Sequence, residues 1–261
     1  MRDFRNRSVL ITGASSGIGA AMAEEFASRG AALIITGRNE ARLEEVKERC
    51  IAAGACRVQT AVLDMTSEAS IDAFASALQE IPDCLVLNAG ISQRSEALET
   101  DESVVRKVME TNFFGPVRLT MALADKIKAA EFMNIAVTTS ISGLFGFPLR
   151  SAYCASKHAL FGWYESLQTE NSNIRVTFLI PGRINTPISL SALHGDGKAH
   201  GQMDPGQQNG MPAEKCARIA VNAIARGRRR KLIGGVELIM AYLKKWAPGI
   251  FWMLAGRVSS K

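Results

Sequence analysis

Short aliphatic runs alternate with segments of helical periodicity along most of this 261-residue chain, and this alternation limits the folds it can adopt. The runs that predict strands are Ser8–Thr12, Ala32–Thr36, Arg57–Leu63, Cys84–Asn88, Asn134–Thr139, Ile174–Ile180 and Lys231–Gly234. The segments that predict helices are Gly17–Arg29, Glu40–Ala53, Ser67–Gln79, Asp101–Lys128, Ser151–Glu170 and Pro212–Arg226. Several of these strands are apolar throughout, which is typical of parallel strands covered on both faces. The order predicts an α/β fold, with about seven strands in a doubly wound parallel sheet and helices on both faces.

Nothing in the chain marks a boundary between domains. We find no linker, low-complexity segment or internal repeat, so residues 1–261 are predicted to form a single domain. Hydrophobic residues make up 47% of the chain and charged residues 21%, a globular composition that can supply a sizeable core. The N-terminus shows no apolar signal region, and the five cysteines show no metal-binding spacing. We therefore expect reduced thiols and a cytoplasmic location.

The net charge of +6 raises the question of an acidic partner. The basic residues are concentrated late in the chain, at 226–231 and 244–245. They form no basic platform interleaved with aromatic residues, which argues against nucleic acid. An anionic membrane surface or a phosphorylated cofactor explains the charge more simply.

A glycine-rich turn joins the first predicted strand to the first predicted helix. Gly13 permits a tight turn, Gly17 lets the backbone approach a pyrophosphate, and Gly19 allows close packing of helix on strand. The N-terminus of the helix offers free N–H groups and partial positive charge to phosphates, and Ser15 and Ser16 add hydroxyl donors. An ordinary glycine-rich turn is the alternative. Its place at the first strand–helix junction favours a dinucleotide site in a Rossmann-type fold.

The end of the second predicted strand bears on the choice of dinucleotide. A carboxylate at this position would bind the 2′-hydroxyl of NAD, but residues 36–39 contain no acid. Arg38 lies there instead, and its guanidinium can pair with a 2′-phosphate. The sequence therefore favours NADP(H) over NAD(H). A solvated arginine on a loop is the alternative.

Tyr153 and Lys157 lie four residues apart in a predicted helix, so they share one helix face. A nearby cation favours phenolate and lowers the pKa of a tyrosine, which is ordinarily about 10. Such a tyrosine can act as an acid or a base near neutral pH. The spacing alone is common in helices. Together with a dinucleotide turn, it predicts the proton-transferring half of a hydride-transfer enzyme.

Four separated motifs agree in order and spacing with one family. They are residues 12–19, residues 88–90, Tyr153 with Lys157, and the Pro181-Gly182 pair. Over residues 8–188 the chain resembles the short-chain dehydrogenase/reductases. Each motif alone is weak, and their joint occurrence is specific.

The resemblance implies a catalytic tetrad. Tyr153 would pass a proton to or from the substrate oxygen, and Lys157 would lower the pKa of Tyr153 and hold the nicotinamide ribose. Ser140 would hydrogen-bond the carbonyl or alcohol; Ser142 lies nearby, but the family spacing selects Ser140. Asn112 would hold a water that links Lys157 to solvent, with a local structural role as the alternative.

The resemblance also implies further contacts with the cofactor. Asp64 would contact the adenine amino group, although it could instead cap the following helix. Residues 88–90 would support the central strand and the cofactor ribose, and Ile184 and Thr186 would bind the nicotinamide carboxamide. The full predicted cofactor set is Gly13, Ser15, Ser16, Gly17, Ile18, Gly19, Arg38, Asp64, Met65, Asn88, Ala89, Gly90, Tyr153, Lys157, Pro181, Gly182, Ile184 and Thr186.

Residues 189–235 are predicted to form a substrate lid followed by the last strand. The lid begins apolar and continues glycine-rich and polar, as mobile lids do. Apolar residues predicted to line the substrate site are Leu144, Phe145, Phe147, Ile188 and Leu193. They favour a small apolar or lipid-like carbonyl or alcohol, unless they only pack the core. His194 and His200 lack a supporting ligand cluster, so we expect solvated histidines and no metal.

Residues 236–261 are predicted to form an amphipathic C-terminal tail. Its apolar runs are too short and too interrupted to span a bilayer, but tryptophans and lysines beside them suit a membrane interface. Tail and lid resemble those of membrane-associated, hydroxysteroid dehydrogenase-like reductases. A subunit interface is an equal alternative, and we expect a homo-oligomer, either a dimer or a tetramer.

These features together predict an NADP(H)-dependent oxidoreductase that interconverts a carbonyl and an alcohol. One alternative is a 3-ketoacyl-(carrier protein) reductase, although the arginine expected after the catalytic helix is not evident at residues 168–171. Another is an NADP(H)-binding sensor without turnover. The intact tetrad argues against a sensor, because a binding module need not keep all four residues.

Overall fold

The computed structural model describes residues 4–255. Its strands are β1 (Ser8–Thr12), β2 (Ala32–Gly37), β3 (Arg57–Val62), β4 (Cys84–Leu87), β5 (Met133–Thr138), β6 (Ile174–Pro181), β7 (Ile184–Asn185), β8 (Met211–Pro212) and β9 (Arg230–Ile233). Seven of them form one parallel sheet in the order β3-β2-β1-β4-β5-β6-β9. This arrangement confirms the predicted doubly wound sheet. The two short strands, β7 and β8, pair only with each other.

Helices cover both faces of the sheet. They are α1 (Gly17–Ala27), α2 (Glu40–Ala53), α3 (Glu68–Ala77), α4 (Glu102–Met109), α5 (Gly115–Ala122), α6 (Ala124–Ala129), α7 (Ser151–Glu170), α8 (Pro205–Gln208), α9 (Ala213–Ala225), α10 (Ile239–Trp246) and α11 (Pro248–Ala255). One core packs α1, α2 and α9 on the sheet. A second core packs α3, α5, α6 and α7 on the opposite face. The central strands β1, β4, β5 and β6 are therefore covered on both faces, as their apolar composition predicts.

The chain order reverses beside β1, which pairs with β2 on one side and β4 on the other. At this reversal the connections leave the sheet in opposite directions and open a crevice at the carboxyl ends of the strands. Gly13, Asn88, Ser140 and Gly182 follow β1, β4, β5 and β6 closely. The sheet therefore brings four predicted motifs to one edge.

Local signals account for the helix bounds that the sequence predicted well. The side chain of Asn39 accepts a hydrogen bond from the Arg42 N–H at 3.0 Å and caps the start of α2. Gly54 ends the same helix in the left-handed region, with a φ of 107°. Because both signals are local, the predicted bounds of α2 are also the observed ones.

The helix predicted over Asp101–Lys128 is wrong as a single element. It divides into α4, a π-helical turn over Glu110–Phe114, then α5 and α6. Pro116 has no N–H for the carbonyl of Asn112, and the Gly115 N–H donates to the carbonyl of Glu110. The wider turn lies where Gly115 meets the chain of Met65, since a Cβ on Gly115 would be 2.4 Å from the Met65 carbonyl oxygen. π-Turns of this kind are frequent at functional sites, and this one contains Asn112.

The tail folds back onto the domain as α10 and α11. Phe251 is fully buried and contacts Phe145, with 5.2 Å between ring centroids. Several apolar side chains of the same segment stay exposed, among them Ile239, Tyr242, Trp246, Trp252 and Met253. Within residues 4–255, none of the helices has the length and hydropathy needed to cross a bilayer. Residues 256–261 of the predicted tail lie outside the described residues.

Candidate active site

The turn after β1 has the backbone geometry that phosphate binding needs. Gly13 and Gly17 have φ values of 66° and 57°, in the left-handed region that favours glycine. A Cβ on Gly19 would lie 2.2 Å from the carbonyl oxygen of Gly13, so no side chain fits there. Helix α1 then begins after Ser16, whose side chain makes no capping hydrogen bond. Its N-terminal N–H groups therefore suit a pyrophosphate, as the motif predicts.

Asn88 locks this turn against the end of β4. Its side-chain amide donates to the carbonyl oxygens of Thr12 and Gly13, both at 3.2 Å. The Thr12 hydroxyl in turn accepts from the N–H groups of Asn88 and Ala89, at 3.0 and 3.1 Å. The predicted residues 88–90 thus hold the glycine turn itself as well as the central strand.

Arg38 and Asp64 lie at the end of the crevice where the adenosine of a dinucleotide would bind. Arg38 is exposed directly after β2, where a 2′-phosphate would lie. Burial opposes ionisation of Asp64, but hydrogen bonds from Thr66 and the charge of Arg38 hold the pKa of Asp64 below its ordinary value. Ser67 caps α3 by accepting from the Ser70 N–H at 3.2 Å, so the alternative of Asp64 as the helix cap is wrong. The predicted neighbour Met65 is buried against the π-turn.

The side chain of Asn112 is fully committed to protein partners. Its carbonyl oxygen accepts from the Ile91 N–H at 2.8 Å, and its amide donates to the Ile91 carbonyl at 2.9 Å and the Ser156 hydroxyl at 3.0 Å. These bonds tie the π-turn to the loop after β4 and to α7. A water held by this residue would therefore bind its backbone carbonyl, which lacks its usual helical donor at Pro116.

Lys157 points into the space that Gly90 leaves open. Its Nζ donates to the Thr138 carbonyl at 2.9 Å and lies 5.7 Å from the ring centroid of Tyr153. A Cβ on Gly90 would be 3.5 Å from that Nζ. Burial lowers the pKa of Lys157 to about 8, which brings its proton within reach of neutral pH.

Tyr153 and Ser140 meet at the ends of β5 and α7. Burial raises the pKa of Tyr153, while a hydrogen bond with Ser140 and the charge of Arg150 act to lower it. The sequence expected Lys157 to lower this pKa, but in the structure that cationic influence comes from Arg150. Ser140 also lies 3.4 Å from the Pro181 carbonyl and accepts from the Ser142 N–H, which fixes its side chain.

The loop after β6 closes the crevice against the glycine turn. Ile184 and Thr186 are buried, and a Cβ on Gly17 would lie 3.3 Å from the Thr186 Cβ. Glu237, from the start of the tail, accepts from the Arg183 N–H at 2.8 Å beside Gly182. No local sequence pattern predicts this contact, because the two residues are 54 positions apart.

A cavity of about 350 Å³ opens beside Tyr153 and Ser140. Its apolar lining includes Ile141, Phe145, Phe147, Ile184, Ile188 and Met240. Phe145, Phe147 and Ile188 were predicted to line it. The other two predicted lining residues pack elsewhere: Leu144 joins the core under α7, and Leu193 packs with Val104 and Val108.

Comparison with known proteins identifies the architecture. The family model described as "short chain dehydrogenase" matches residues 7–195. The chain is 34% identical over 264 residues to Dehydrogenase/reductase SDR family member 7B of Xenopus laevis, covering 97% of this chain and 82% of that one. The chain belongs to the short-chain dehydrogenase/reductase family.

Solved structures of this family share the fold over nearly the whole chain. A short-chain dehydrogenase/reductase from Burkholderia phymatum in complex with NAD has a TM-score of 0.81 and 25% identity, covering 96% of each chain. An alcohol dehydrogenase from Thermococcus sibiricus, complexed with 5-hydroxy-NADP, has a TM-score of 0.73 and 26% identity, covering 88% of this chain and 97% of that one. As a member of the family, this protein is an oxidoreductase that binds a nicotinamide cofactor.

The cavity of this short-chain dehydrogenase/reductase also has a charged wall that the sequence did not reveal. Asp204, from the lid, lies between the guanidinium groups of Arg94 and Arg150, and all three line the cavity with Tyr153. Arg94 and Asp204 are 110 residues apart, so no local pattern relates them.

His194 and His200 differ from their prediction as solvated histidines. Their ring nitrogens lie 3.1 Å apart, and both rings are half-buried in the lid. Burial and the charge of Arg94 lower the pKa of His200, so near neutral pH it adds little positive charge to the wall.

Proposed function

We propose that this protein is an NADP(H)-dependent oxidoreductase that interconverts a ketone or aldehyde and an alcohol on an apolar or lipid-like substrate. One observation carries the proposal: Tyr153 and Ser140 lie together on the wall of a cavity whose other lining is largely apolar. A carbonyl oxygen at that pair would place the rest of the substrate against the apolar wall.

Tyr153, Ser140 and Lys157 have separate roles in proton transfer. A bound nicotinamide cofactor supplies or accepts the hydride. Tyr153 donates the proton to the developing alkoxide in the direction of reduction, and Ser140 donates a hydrogen bond to the same oxygen. Lys157, with a pKa of about 8, can exchange a proton with solvent near neutral pH and so restore the acid. Oxidation of an alcohol uses the same groups in reverse.

The preference for NADP(H) rests on Arg38. Its exposed guanidinium follows β2 where a 2′-phosphate would lie, and no carboxylate stands at residues 36–39. The nearby Asp64 carboxylate follows β3 and not β2, so it does not occupy the strand end where a ribose-binding acid is expected.

The proposed function is tested by following NADPH oxidation across ketones and aldehydes of graded size and polarity. We expect turnover to rise with apolar size until the cavity is filled. Turnover confined to ketoacyl thioesters would favour the carrier-protein reductase. Tight NADPH binding without turnover on any carbonyl or alcohol would favour the sensor and overturn the proposal.

We further propose that the protein is a cytoplasmic homo-oligomer that touches anionic membranes through its tail. The support is chemical: Trp246 and Trp252 are exposed beside Lys244 and Lys245, whose ammonium groups lie over these rings. Truncation of the tail would unpack Phe251, so the test uses Trp246→Ser with Trp252→Ser, and Leu98→Ser as an exposed control. Loss of vesicle flotation in the double variant alone supports membrane contact. Retained flotation with a smaller assembly in light scattering would assign the surface to subunit packing.

A further inference from the structure

Three separate segments meet at one carboxylate beside the active site. The Oδ2 of Asp204 accepts from Arg150 at 2.5 Å, and its Oδ1 accepts from Arg94. The three side chains are only 19%, 13% and 11% exposed, for Arg94, Arg150 and Asp204. Arg94 follows β4, Arg150 directly precedes α7, and Asp204 belongs to the lid. We name this set the ion triad.

Main-chain hydrogen bonds run parallel to the ion triad. The Arg94 N–H donates to the Leu193 carbonyl of the lid at 2.7 Å, and the Leu193 N–H donates to the Ser92 carbonyl at 2.9 Å. On the other side, the Ser95 N–H donates to the Leu149 carbonyl at 3.1 Å. The segment 92–95 is thus bonded both to the lid and to the residue that leads into α7.

Gln93 extends this connection into the first turn of α7. Its side chain is fully buried, and its oxygen accepts from the Ala152 N–H at 2.8 Å. Its amide donates to the hydroxyls of Ser151 and Thr100, at 3.2 and 2.9 Å. The bond to Ala152 holds the helix one residue before Tyr153.

The backbone before α7 is strained, which makes it depend on its neighbours. Leu149 has a φ of 62°, a left-handed conformation that side chains other than glycine, asparagine and aspartate rarely adopt. Such a residue costs on the order of 1–3 kcal/mol and persists only where surrounding contacts enforce it. Here those contacts are the Ser95 bond to Leu149 and the anchoring of the adjacent Arg150 by Asp204 and Ser92.

The charge balance explains why Asp204 matters more than an apolar lid contact would. Charges with little exposure are stable only when opposite charge compensates them, and removing the carboxylate takes away the negative charge that the two guanidinium groups share. Without Asp204, two guanidinium groups would face each other in the cavity wall. The energetically favourable response is for the segments to separate and let water in.

We propose that Asp204 is a positioning residue: by joining Arg94 and Arg150, it couples lid closure to the alignment of Tyr153 on α7. Enclosing the substrate and setting the proton donor are then one event. The inference rests on the proposed function for its catalytic consequence, but the coupling itself is a property of the fold.

The coupling is tested by hydrogen–deuterium exchange on the NADPH-bound protein, which requires no substrate. In Asp204→Asn, we expect the amides of residues 190–204 and of residues 150–156 to exchange about tenfold faster than in the wild type. The two segments should change by the same factor, because they open as one cooperative unit. The amides of 160–168, later in α7, should keep their wild-type rates. Faster exchange in the lid alone, or in neither segment, would overturn the proposal.

Asp83→Asn is the matched control. Asp83 is also a partly buried carboxylate, paired with Arg7 at 2.6 Å and bonded to Ser8, but it precedes β4 at the opposite end of the sheet. This variant tests whether the loss of any paired carboxylate speeds amide exchange in residues 190–204 and 150–156. The same change at 190–204 and 150–156 in Asp83→Asn would reduce the effect to general destabilisation and overturn the proposal.

Kinetics on a substrate found with the ketone panel give the catalytic test. Asp204→Asn should lower kcat by about tenfold with unchanged NADPH affinity, and Asp204→Glu should restore part of it because a charge-assisted bond re-forms. A kcat equal to that of wild type would overturn the positioning role. Coupled exchange in a protein that reduces no carbonyl would support the coupling through the ion triad and overturn the proposed function.

Discussion

The two halves of the active site differ in the groups that form them: mostly backbone in the cofactor half and side chains in the substrate half. The cofactor half, formed by residues 12–19, 36–39, 64–65 and 88–90, relies mostly on backbone: glycine conformations, a helix N-terminus and carbonyl oxygens held by Asn88. The substrate half, formed by residues 92–95, 140–157 and 181–204 with the tail, relies on side chains from distant parts of the chain. The comparison teaches that residues close together in the sequence can form a site for the cofactor phosphates. A site for a particular substrate requires the packing of distant segments.

The largest expected effect is on chemistry in the substrate half. Tyr153→Phe should bind NADPH as wild type does and lose roughly 100- to 10,000-fold in turnover, because the proton donor is gone while the ring still packs. Fluorescence titration and steady-state rates measure the two quantities. Tyr242→Phe serves as the matched control, since it removes an exposed phenolic hydroxyl on α10 that does not line the cavity. Substantial turnover in Tyr153→Phe would refute its role as the acid.

A smaller effect, on stability and on NADPH affinity, is expected when one methyl group is added to the glycine turn of the cofactor half. In Gly19→Ala the new Cβ would lie 2.2 Å from the Gly13 oxygen and 2.5 Å from the Asn88 amide, so overpacking should lower the free energy of unfolding by about 1–3 kcal/mol. NADPH affinity should fall as well. Urea denaturation with and without NADPH measures both.

Gly162→Ala is the matched substitution within a helix. Nothing lies within 4 Å of its Cβ position in α7, so the free energy of unfolding should rise by about 0.5–1 kcal/mol. If both variants behaved alike, the backbone of the glycine turn would not be the constraint that defines the cofactor half.

The smallest expected effect on cofactor binding concerns Arg38, whose side chain adds to the backbone contacts of the cofactor half. Arg38→Ala should weaken NADPH binding about tenfold and leave NADH binding unchanged, because one charge-assisted contact with the 2′-phosphate is lost. Competitive titration with both cofactors measures the difference. Arg218→Ala, exposed on α9, controls for the loss of one positive charge. Equal affinity of the wild type for NADPH and NADH would contradict the assignment.

Features set by neighbouring residues could be predicted from the sequence. The bounds of β1, α2 and α7 are as predicted, because caps, glycines and apolar periodicity act within a few residues. The same locality makes the glycine turn and the Tyr153–Lys157 spacing readable without a structure.

Features set by contacts between distant residues could not be predicted. The π-turn depends on the approach of Gly115 to Met65, and the ion triad depends on three segments meeting across the cavity. The pKa of Tyr153 illustrates the limit. Helical spacing correctly places Lys157 beside the phenol, but only packing determines that burial raises the pKa and that Arg150 opposes it.

The position of β9 at the end of the sheet gives the late basic run another meaning. Most of residues 226–231 are exposed at the start of this strand and in the turn before it, and Arg230 folds back over the ring of Phe161, 5.2 Å from its centroid. A strand that ends a sheet presents unpaired N–H and C=O groups to any other chain, and positive charges there discourage edge-to-edge association. We therefore expect part of the net charge of this protein to oppose its aggregation at high concentration. Substitutions chosen only to make the surface more neutral would remove that protection.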